Sequence, residues 1–238
     1  NIENLSIDAY DVVTNKPKTT AYRAPGAPLG AFAIESLIDE ICEKLHIDPL
    51  EFRILNGAKE GTRRSYGMVN PRIGAIETAQ SAKDHQHYST PLEGPNRGRG
   101  VASGFWVNGS GHACATAMVN FDGTVNLTIG SMDIGGLRPV AAQHLAEVLG
   151  IPVEDVNPQV GDTDSIGFTS MTGGSGAAFK TGWASYEAAN DVKRQMIDRA
   201  AMIWETPREE IDLVDGIFRH KSDPELSINF KGLAEETK

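Results

Sequence analysis

The chain has 238 residues, 40% of them hydrophobic, which is enough for one large domain or two moderate ones with a real core. Its formal net charge of −10 argues against a nucleic-acid partner, because binding to a polyanion requires a basic face. No apolar stretch reaches the length of a membrane span and no signal peptide is recognisable, so we expect a cytoplasmic protein with no membrane partner. The two cysteines, Cys42 and Cys114, are expected to be buried thiols in a reducing compartment.

The first part of the chain is predicted to hold a strand followed by an amphipathic helix. Residues 5–13 contain β-branched and apolar residues in partial alternation, which is typical of a strand. Over residues 29–45, apolar residues recur at spacings of three and four, which predicts an amphipathic helix packed against a core. The chain begins Asn-Ile-Glu without a methionine, and we expect it to be a piece of a longer polypeptide.

A second, shorter helix and a linker are predicted next. Asp48 and Pro49 have the residue types of a helix N-cap and a first helical residue, and residues 73–82 are weakly helical. Residues 83–99 are polar and interrupted by proline and glycine, which favours a linker. We therefore predict a first substructure over residues 1–82. The two histidines of the linker lack a third ligand, so no metal site is predicted there.

A second substructure is predicted over residues 100–238. Asp122-Gly123 is a strong hairpin signal between two strand patterns, and apolar periodicity predicts a helix over residues 137–149 and a long one after residue 176. The predicted strands lie at residues 100–107, 114–121, 124–131, 153–162, 211–219 and 225–229. The sum is an α+β fold of mixed sheets with packed helices, in two substructures.

Three loops rich in small residues each precede a predicted helix. Loop one carries Arg23, loop two is GSMDIGG at residues 130–136, and loop three is TGGSGAA at residues 172–178. Amides at a helix start are unpaired donors, and the hydroxyls of Thr172 and Ser175 can donate to phosphate oxygens. Loop three therefore predicts a phosphate-bearing ligand. Glycine-rich helix starts also serve packing alone, and the spacing fits neither a Walker loop nor a Rossmann fingerprint.

Most of residues 5–195 closely resembles one enzyme family. The matching segments, in order, are YRAPGAPLGAFAIESLIDEICEKLHIDPLEFRILN, GSMDIGG, AEVLGIPVEDV and GDTDSIGFTSMTGGSGAAFKTGWASYEAA. They resemble the molybdenum-binding subunit of the xanthine dehydrogenase and aldehyde oxidase family. The resemblance implies that family's molybdopterin-binding fold and a parent oxidoreductase that inserts water-derived oxygen into a C–H bond of an aldehyde or an N-heterocycle.

The resemblance also implies a catalytic role for Arg23. In the family, the matching arginine lies on a loop beside the molybdenum, where it binds or orients substrate. A guanidinium offers fixed donors that hold a carbonyl or stabilise developing negative charge. Without the resemblance, pairing of Arg23 with a structural carboxylate is the preferred interpretation. Phe105 and Trp106 match either substrate-channel aromatics of the family or core aromatics.

Loops two and three are implied to bind the pterin cofactor, loop three through its phosphates. The residues concerned are Gly135, Gly136, Thr172, Gly173, Gly174, Ser175 and Gly176. Gly136 stands where the family usually has a glutamine that contacts the metal–pterin group, so that contact is absent or supplied elsewhere. The implied cofactor is molybdopterin with molybdenum, in the cytosine dinucleotide form that bacterial relatives usually carry.

The implied partners are the rest of the subunit, iron–sulfur and FAD domains or subunits, and a small-molecule substrate. The family's Gly-Phe-Gly loop and its Gly-Val-Gly-Glu segment with the general-base glutamate do not occur in these 238 residues. We therefore expect this piece alone to hold no cofactor and to be inactive. Two alternatives stay open: a non-catalytic structural or assembly domain of the same fold, and a nucleotide-binding module built on loop three.

Overall fold

The computed structural model describes residues 4–106 and 109–236. The chain divides after Trp106 into two units, of which the first is built from helices and irregular segments and the second from two sheets with packed helices. The predicted α+β fold of mixed sheets and helices is confirmed. The finer boundaries at residues 1–82, 83–99 and 100–238 stay a prediction.

The helices of the first unit begin and end at recognisable local signals. They are α1 (Ala27–Leu45), α2 (Pro49–Asn56), α3 (Ala75–Asp84) and α4 (Gln86–Ser89). The Asp48 carboxylate accepts the amides of Leu50 and Glu51, both at 2.9 Å, which caps α2 as its sequence predicts. Helix α1 ends at His46, whose left-handed conformation turns the chain away.

Much of the apolar face of α1 is left exposed by the residues that the structure describes. Phe32 is 78% exposed and Leu29 is 75% exposed, while Cys42 is buried. The predicted helix is confirmed and its predicted packing is wrong. Periodicity identifies which face of a helix is apolar, but it does not identify what covers that face.

Helix α1 is held instead by a network of polar side chains. Arg53 of α2 donates to the Glu35 carboxylate of α1, to the carbonyl of Pro49 at 2.8 Å and to Ser103 Oγ at 3.1 Å. The Ser103 amide also donates to Glu35, at 2.8 Å. Because the two ionised side chains are 9% and 14% exposed, this network fixes α1 against α2 and the segment around residue 103.

The strand predicted over residues 5–13 is wrong. These residues form no regular element and are exposed, with Val13 at 95% and Tyr10 at 86%. A strand requires a neighbour for its backbone hydrogen bonds, and no described residue pairs with this segment. The strand predicted over 100–107 is also absent from its described part, residues 100–106.

The first sheet of the second unit contains β1 (Ala115–Val119), β2 (Val125–Ile129) and β3 (Val156–Val160). Strands β1 and β2 are antiparallel, whereas β2 and β3 are parallel and are joined through a helix. The predicted hairpin is confirmed: Gly123 has φ +85° and its amide donates to the Asn120 carbonyl at 3.0 Å. The segment predicted as a buried strand over 153–162 starts with a 3₁₀ turn, and in β3 only Val156 is buried.

Two helices cover one face of this sheet and form the core. They are α5 (Leu137–Leu149) and α6 (Ala177–Trp204), and α5 ends at Gly150 as predicted. The side chains of β2 that face them, Val125, Leu127 and Ile129, are fully buried. Along α6, Ala189, Val192 and Met196 are buried, whereas Trp183 is 59% exposed and both Tyr186 and Ile203 are 40% exposed.

A second sheet completes this unit. It is a meander of β4 (Ile211–Val214), β5 (Ile217–His220) and β6 (Ser227–Asn229), followed by α7 (Phe230–Glu235). The single strand predicted over 211–219 is wrong, because Asp215 and Gly216 adopt left-handed conformations and turn the chain into a hairpin. Within the two described ranges, no helix combines the length and the apolar character needed to cross a bilayer.

Candidate cofactor-binding site

Loop two binds its own acidic side chain. The Asp133 carboxylate accepts from Arg138 Nε at 2.8 Å, from the Gly135 amide at 2.9 Å and from the Leu137 amide at 3.0 Å. The Arg138 guanidinium and the two amides hold the pKa of Asp133 well below its ordinary value. The expectation of unpaired amides is therefore wrong for Gly135 and Leu137. The start of α5 is already paired with a negative charge from the same chain.

The two glycines of loop two lie at an open surface. Gly135 has φ +114° and Gly136 has φ +85°, and a Cβ atom on either would meet nothing within 4 Å. Both positions require glycine for conformation rather than for packing. A ligand can therefore approach the backbone of this loop closely. The partial positive charge at the start of α5, however, is already neutralised by Asp133.

Loop three has a different construction. Gly174 and Ser175 adopt left-handed conformations, with φ +61° and +58°, and Gly176 is then the N-cap of α6. The Gly109 amide donates to the Gly174 carbonyl, and a Cβ atom on Gly176 would lie 2.5 Å from the Gly109 carbonyl oxygen. A left-handed serine is uncommon and strained, so the surrounding structure must hold it in place.

The first turn of α6 keeps donors available. Among residues 109–236, no acceptor outside the helix reaches the amides of Ala177 or Ala178. Gly173 and Ser175 are exposed, and Thr172 is half-buried beside them. Within residues 109–236, the start of α6 therefore differs from the start of α5, where Asp133 accepts the Leu137 amide.

A buried lysine behind loop three was not predicted. Lys180, in the first turns of α6, is only 6% exposed, and its Nζ donates to the carbonyls of Ser170 at 2.6 Å and Met171 at 2.8 Å. It also donates to Ser170 Oγ, at 2.9 Å. The sequence signal was its spacing of three residues from the small, buried Ala177, which places a lysine at the edge of the core-facing side.

A buried pair of hydroxyl groups joins loop two to the helix that follows loop three. Ser131, within loop two, and Thr181, just after loop three, lie 2.6 Å apart through their hydroxyls and are both buried. Thr169 Oγ1 accepts the Cys114 amide at 3.0 Å, and a side chain on Gly130 would collide with Thr169. The start of loop two, next to β2, is therefore fixed to the α6 helix that follows loop three.

Arg23 lies in the first unit, in an exposed position ahead of α1. Ala24 beside it is left-handed, with φ +51°, and its carbonyl accepts the Ala27 amide at 2.9 Å, so the backbone turns sharply here. Among the described residues, no carboxylate forms an ion pair with Arg23. Its role at a substrate stays a prediction.

The remaining candidates are placed as follows. Phe105 is 71% exposed and stands 5.8 Å from the Arg64 guanidinium, so it is not a core aromatic in this chain. The described residues contain no group of three or more His, Cys, Asp or Glu side chains that could hold a metal ion.

Comparison with known protein families gives this geometry a context. Residues 75–238 match a family model described as a molybdopterin cofactor-binding domain, and residues 1–57 match a second model with the same description. The chain belongs to the molybdopterin cofactor-binding domain family, as the resemblance implied. Loops two and three both lie within the larger match.

Curated relatives are subunits of molybdenum enzymes. The chain is 32% identical over 221 residues to the putative xanthine dehydrogenase molybdenum-binding subunit XdhA of Escherichia coli K12, covering 85% of this chain and 29% of that protein. It is 36% identical over 197 residues to the aldehyde oxidoreductase molybdenum-binding subunit PaoC of Escherichia coli O157:H7, covering 77% and 26%. The chain thus spans less than a third of the length of these relatives.

A solved structure supports the fold. The CO dehydrogenase from Oligotropha carboxidovorans superposes with a TM-score of 0.70 at 22% identity, covering 90% of this chain and 30% of that one. The similarity at this identity concerns the fold alone.

Proposed function

We propose that this chain is part of the molybdenum-binding subunit of a molybdenum hydroxylase and that loop three holds the phosphate of its molybdopterin cofactor. The parent reaction would oxidise an aldehyde or an N-heterocycle with oxygen derived from water. The cofactor would supply the metal that accepts the substrate's electrons. The names of the curated relatives support this class of reaction.

The observation that carries the proposal is the pair of backbone amides at the start of α6, where loop three ends. The amides of Ala177 and Ala178 lack acceptors outside the helix among the described residues, and they lie at the positive end of a helix of 28 residues. Gly173 leaves the backbone accessible, and the left-handed Ser175 brings its hydroxyl to the same loop. Amides, hydroxyl and helix dipole together fit an anionic phosphate.

Loop two fits a different part of the cofactor. The Asp133 carboxylate already accepts hydrogen bonds from its backbone amides. Gly135 and Gly136 nevertheless leave open space beside the backbone. A flat, uncharged ring system can approach such a surface closely. In the proposed enzyme, Gly135 and Gly136 would therefore contact the cofactor by shape, and Arg23 would orient the substrate through its fixed guanidinium donors.

Further parts of the proposal concern the whole protein. The cofactor would carry the cytosine dinucleotide, and electrons would leave to iron–sulfur and FAD groups on other domains or subunits. The remaining walls of the cofactor site would come from the rest of the subunit, so this piece alone would hold no cofactor and be inactive.

The proposal is tested by Gly173→Val in the complete subunit. Gly173 has no left-handed φ, and its Cβ would meet only the flexible end of Met171, at 3.0 Å, so a side chain fits without backbone strain. We expect a folded protein that has lost most of its molybdenum, measured by elemental analysis, because valine blocks approach to the loop.

Gly100→Val is the matched control. A Cβ atom on Gly100 meets nothing within 4 Å, and this residue belongs to the first unit. The control should keep its molybdenum and its melting temperature. Full molybdenum content in a folded Gly173→Val protein would exclude loop three as a phosphate site.

A second candidate function is a non-catalytic structural or assembly domain of the same fold. The occupation of the α5 amides by Asp133 and the glycine at residue 136 favour it, since both remove contacts to a cofactor. The two functions differ in one measurement, because a structural domain would hold no molybdenum in the unsubstituted complete subunit.

A further inference from the structure

Lys180 is a buried cation that pairs with no carboxylate in the described part of the second unit. It is 6% exposed, and its three ammonium hydrogens are matched by three neutral oxygen atoms, two from Ser170 and one from Met171. Among residues 109–236, no carboxylate lies within ion-pair distance of its Nζ. Glu187 lines the same cavity of about 440 Å³ without pairing with Lys180.

The position is electrostatically unfavourable in two ways. A buried ammonium group loses the favourable free energy of its hydration. Hydrogen bonds to three neutral oxygens compensate only part of this loss. Lys180 also lies in the first turns of α6, where the helix dipole is positive and disfavours a cation. A methionine of similar length would avoid both effects, so stability alone does not account for a lysine here.

The contacts of Lys180 are directed at the start of loop three. Ser170 and Met171 immediately precede Thr172, and Lys180 binds the carbonyl of each. Ser170 is held from the other side as well, since its amide and its hydroxyl donate to the His112 carbonyl at 2.9 and 3.0 Å. The chain therefore enters loop three along a fixed path.

We propose that Lys180 is a positioning residue for loop three, which fixes the path into residues 172–176 and supplies a positive charge that a bound phosphate neutralises. The inference rests on the proposed function. It adds a positively charged side chain to the backbone amides that are proposed to hold the phosphate. Because its three hydrogens are already engaged, Lys180 acts on the phosphate through the loop and through its electric field rather than by direct contact.

The test is a titration of the 238-residue chain with inorganic pyrophosphate, followed by the amide NMR signals of residues 172–176. We expect weak binding, and Lys180→Met should reduce the affinity about tenfold and flatten its dependence on salt. Lys180→Arg keeps the charge and should bind within about threefold of the unsubstituted chain. Lys193→Met removes the same charge from the same helix away from loop three and should have no effect.

The outcomes separate the two proposals. If pyrophosphate shifts no signal of loop three in the unsubstituted chain, this inference is overturned, whereas the phosphate role of loop three is decided by Gly173→Val in the complete subunit. If the chain binds and Lys180→Met binds equally well with the same salt dependence, only the inference is overturned. Should Lys180→Met fail to fold, the decision passes to Lys180→Arg, and a tenfold weaker affinity in that folded variant would overturn the inference.

Discussion

Loops two and three look alike in sequence, yet the structure gives them opposite electrostatics. Each is glycine-rich and each runs into a helix that packs on the same sheet. In loop two the Asp133 carboxylate accepts the Gly135 amide and the first amide of α5, that of Leu137. In loop three the first-turn amides of α6 have no acceptor outside the helix among residues 109–236, and a buried ammonium stands behind them.

This difference separates two uses of glycine at a helix start. Asp133 compensates the dipole of α5 beside loop two, whereas no carboxylate within residues 109–236 accepts the first amides of α6 beside loop three. The glycines differ in the same way. Gly136 has open space around it, while Gly176 lies against the backbone of Gly109. A glycine-rich motif alone therefore does not define an anion site, and the neighbouring charges decide.

The largest expected effect that tests this comparison is on folding stability. A Cβ atom on Gly176 would lie 2.5 Å from the Gly109 carbonyl oxygen, and backbone atoms cannot move aside easily. We expect Gly176→Ala to lower the free energy of unfolding by roughly 3 kcal/mol, near the upper end for overpacking. Denaturant unfolding of the chain measures it.

Gly136→Ala is the matched variant in loop two. It meets no atom within 4 Å, so only its φ of +85° is unfavourable, and we expect a loss of about 1 kcal/mol. Equal losses at the two positions would contradict the difference in packing between the loops.

An effect smaller than that of Gly176→Ala is expected at the buried hydroxyl pair of Ser131 and Thr181. Ser131→Ala leaves the buried Thr181 hydroxyl without the partner that it has at 2.6 Å, and we expect a loss of about 2 kcal/mol. Adding Thr181→Val removes the unsatisfied group. The double variant should therefore lose less than the sum of the two single variants. Additive losses in this double-mutant cycle would show that the pair does not couple the loops.

The sequence predicts helices well here because their signals are local. The cap at Asp48, the apolar periodicity of α5 and its end at Gly150 each depend on a few neighbouring residues. Strands depend on partners far along the chain, and so the strand patterns at residues 5–13 and 100–106 form no strand in the structure.

One missed turn had a local signal. Asp215-Gly216 is the same dipeptide as the correctly predicted turn at Asp122-Gly123, and it divides the predicted strand 211–219 into β4 and β5. The apolar residues on both sides concealed it, because they continue the strand pattern across the turn.

The glycines of the candidate site could be identified from the sequence, but most of its electrostatics could not. Resemblance alone implied the cofactor role of residues 172–176. Lys180 has the composition of a solvent-facing helix residue, and only the fold buries it. Asp133 could have been predicted as the acceptor for amides two and four residues ahead, since aspartate commonly forms such turns.

The smallest expected effect concerns the charge of Asp133 and depends on pH. Arg138 and the amides of Gly135 and Leu137 hold the pKa of Asp133 below its ordinary value of 3.8. Its contribution to stability is therefore present above about pH 4 and is lost as the pH falls through the lower pKa of the folded state. Asp133→Asn keeps the shape of the side chain but not the charge. It should melt at a slightly lower temperature than the unsubstituted chain near pH 6.

This difference in melting temperature should narrow in acid. Below about pH 4 the unfolded chain takes up a proton at Asp133 that the folded chain does not bind until lower pH, so the stabilisation that asparagine lacks is lost and the two proteins should converge. Asp164→Asn, an exposed substitution outside loop two, controls for the general loss of stability in acid. A difference that stays constant from pH 6 to the acid limit would mean that Asp133 acts in loop two by shape alone. The contrast with loop three would then rest on Lys180 and not on a neutralised helix start.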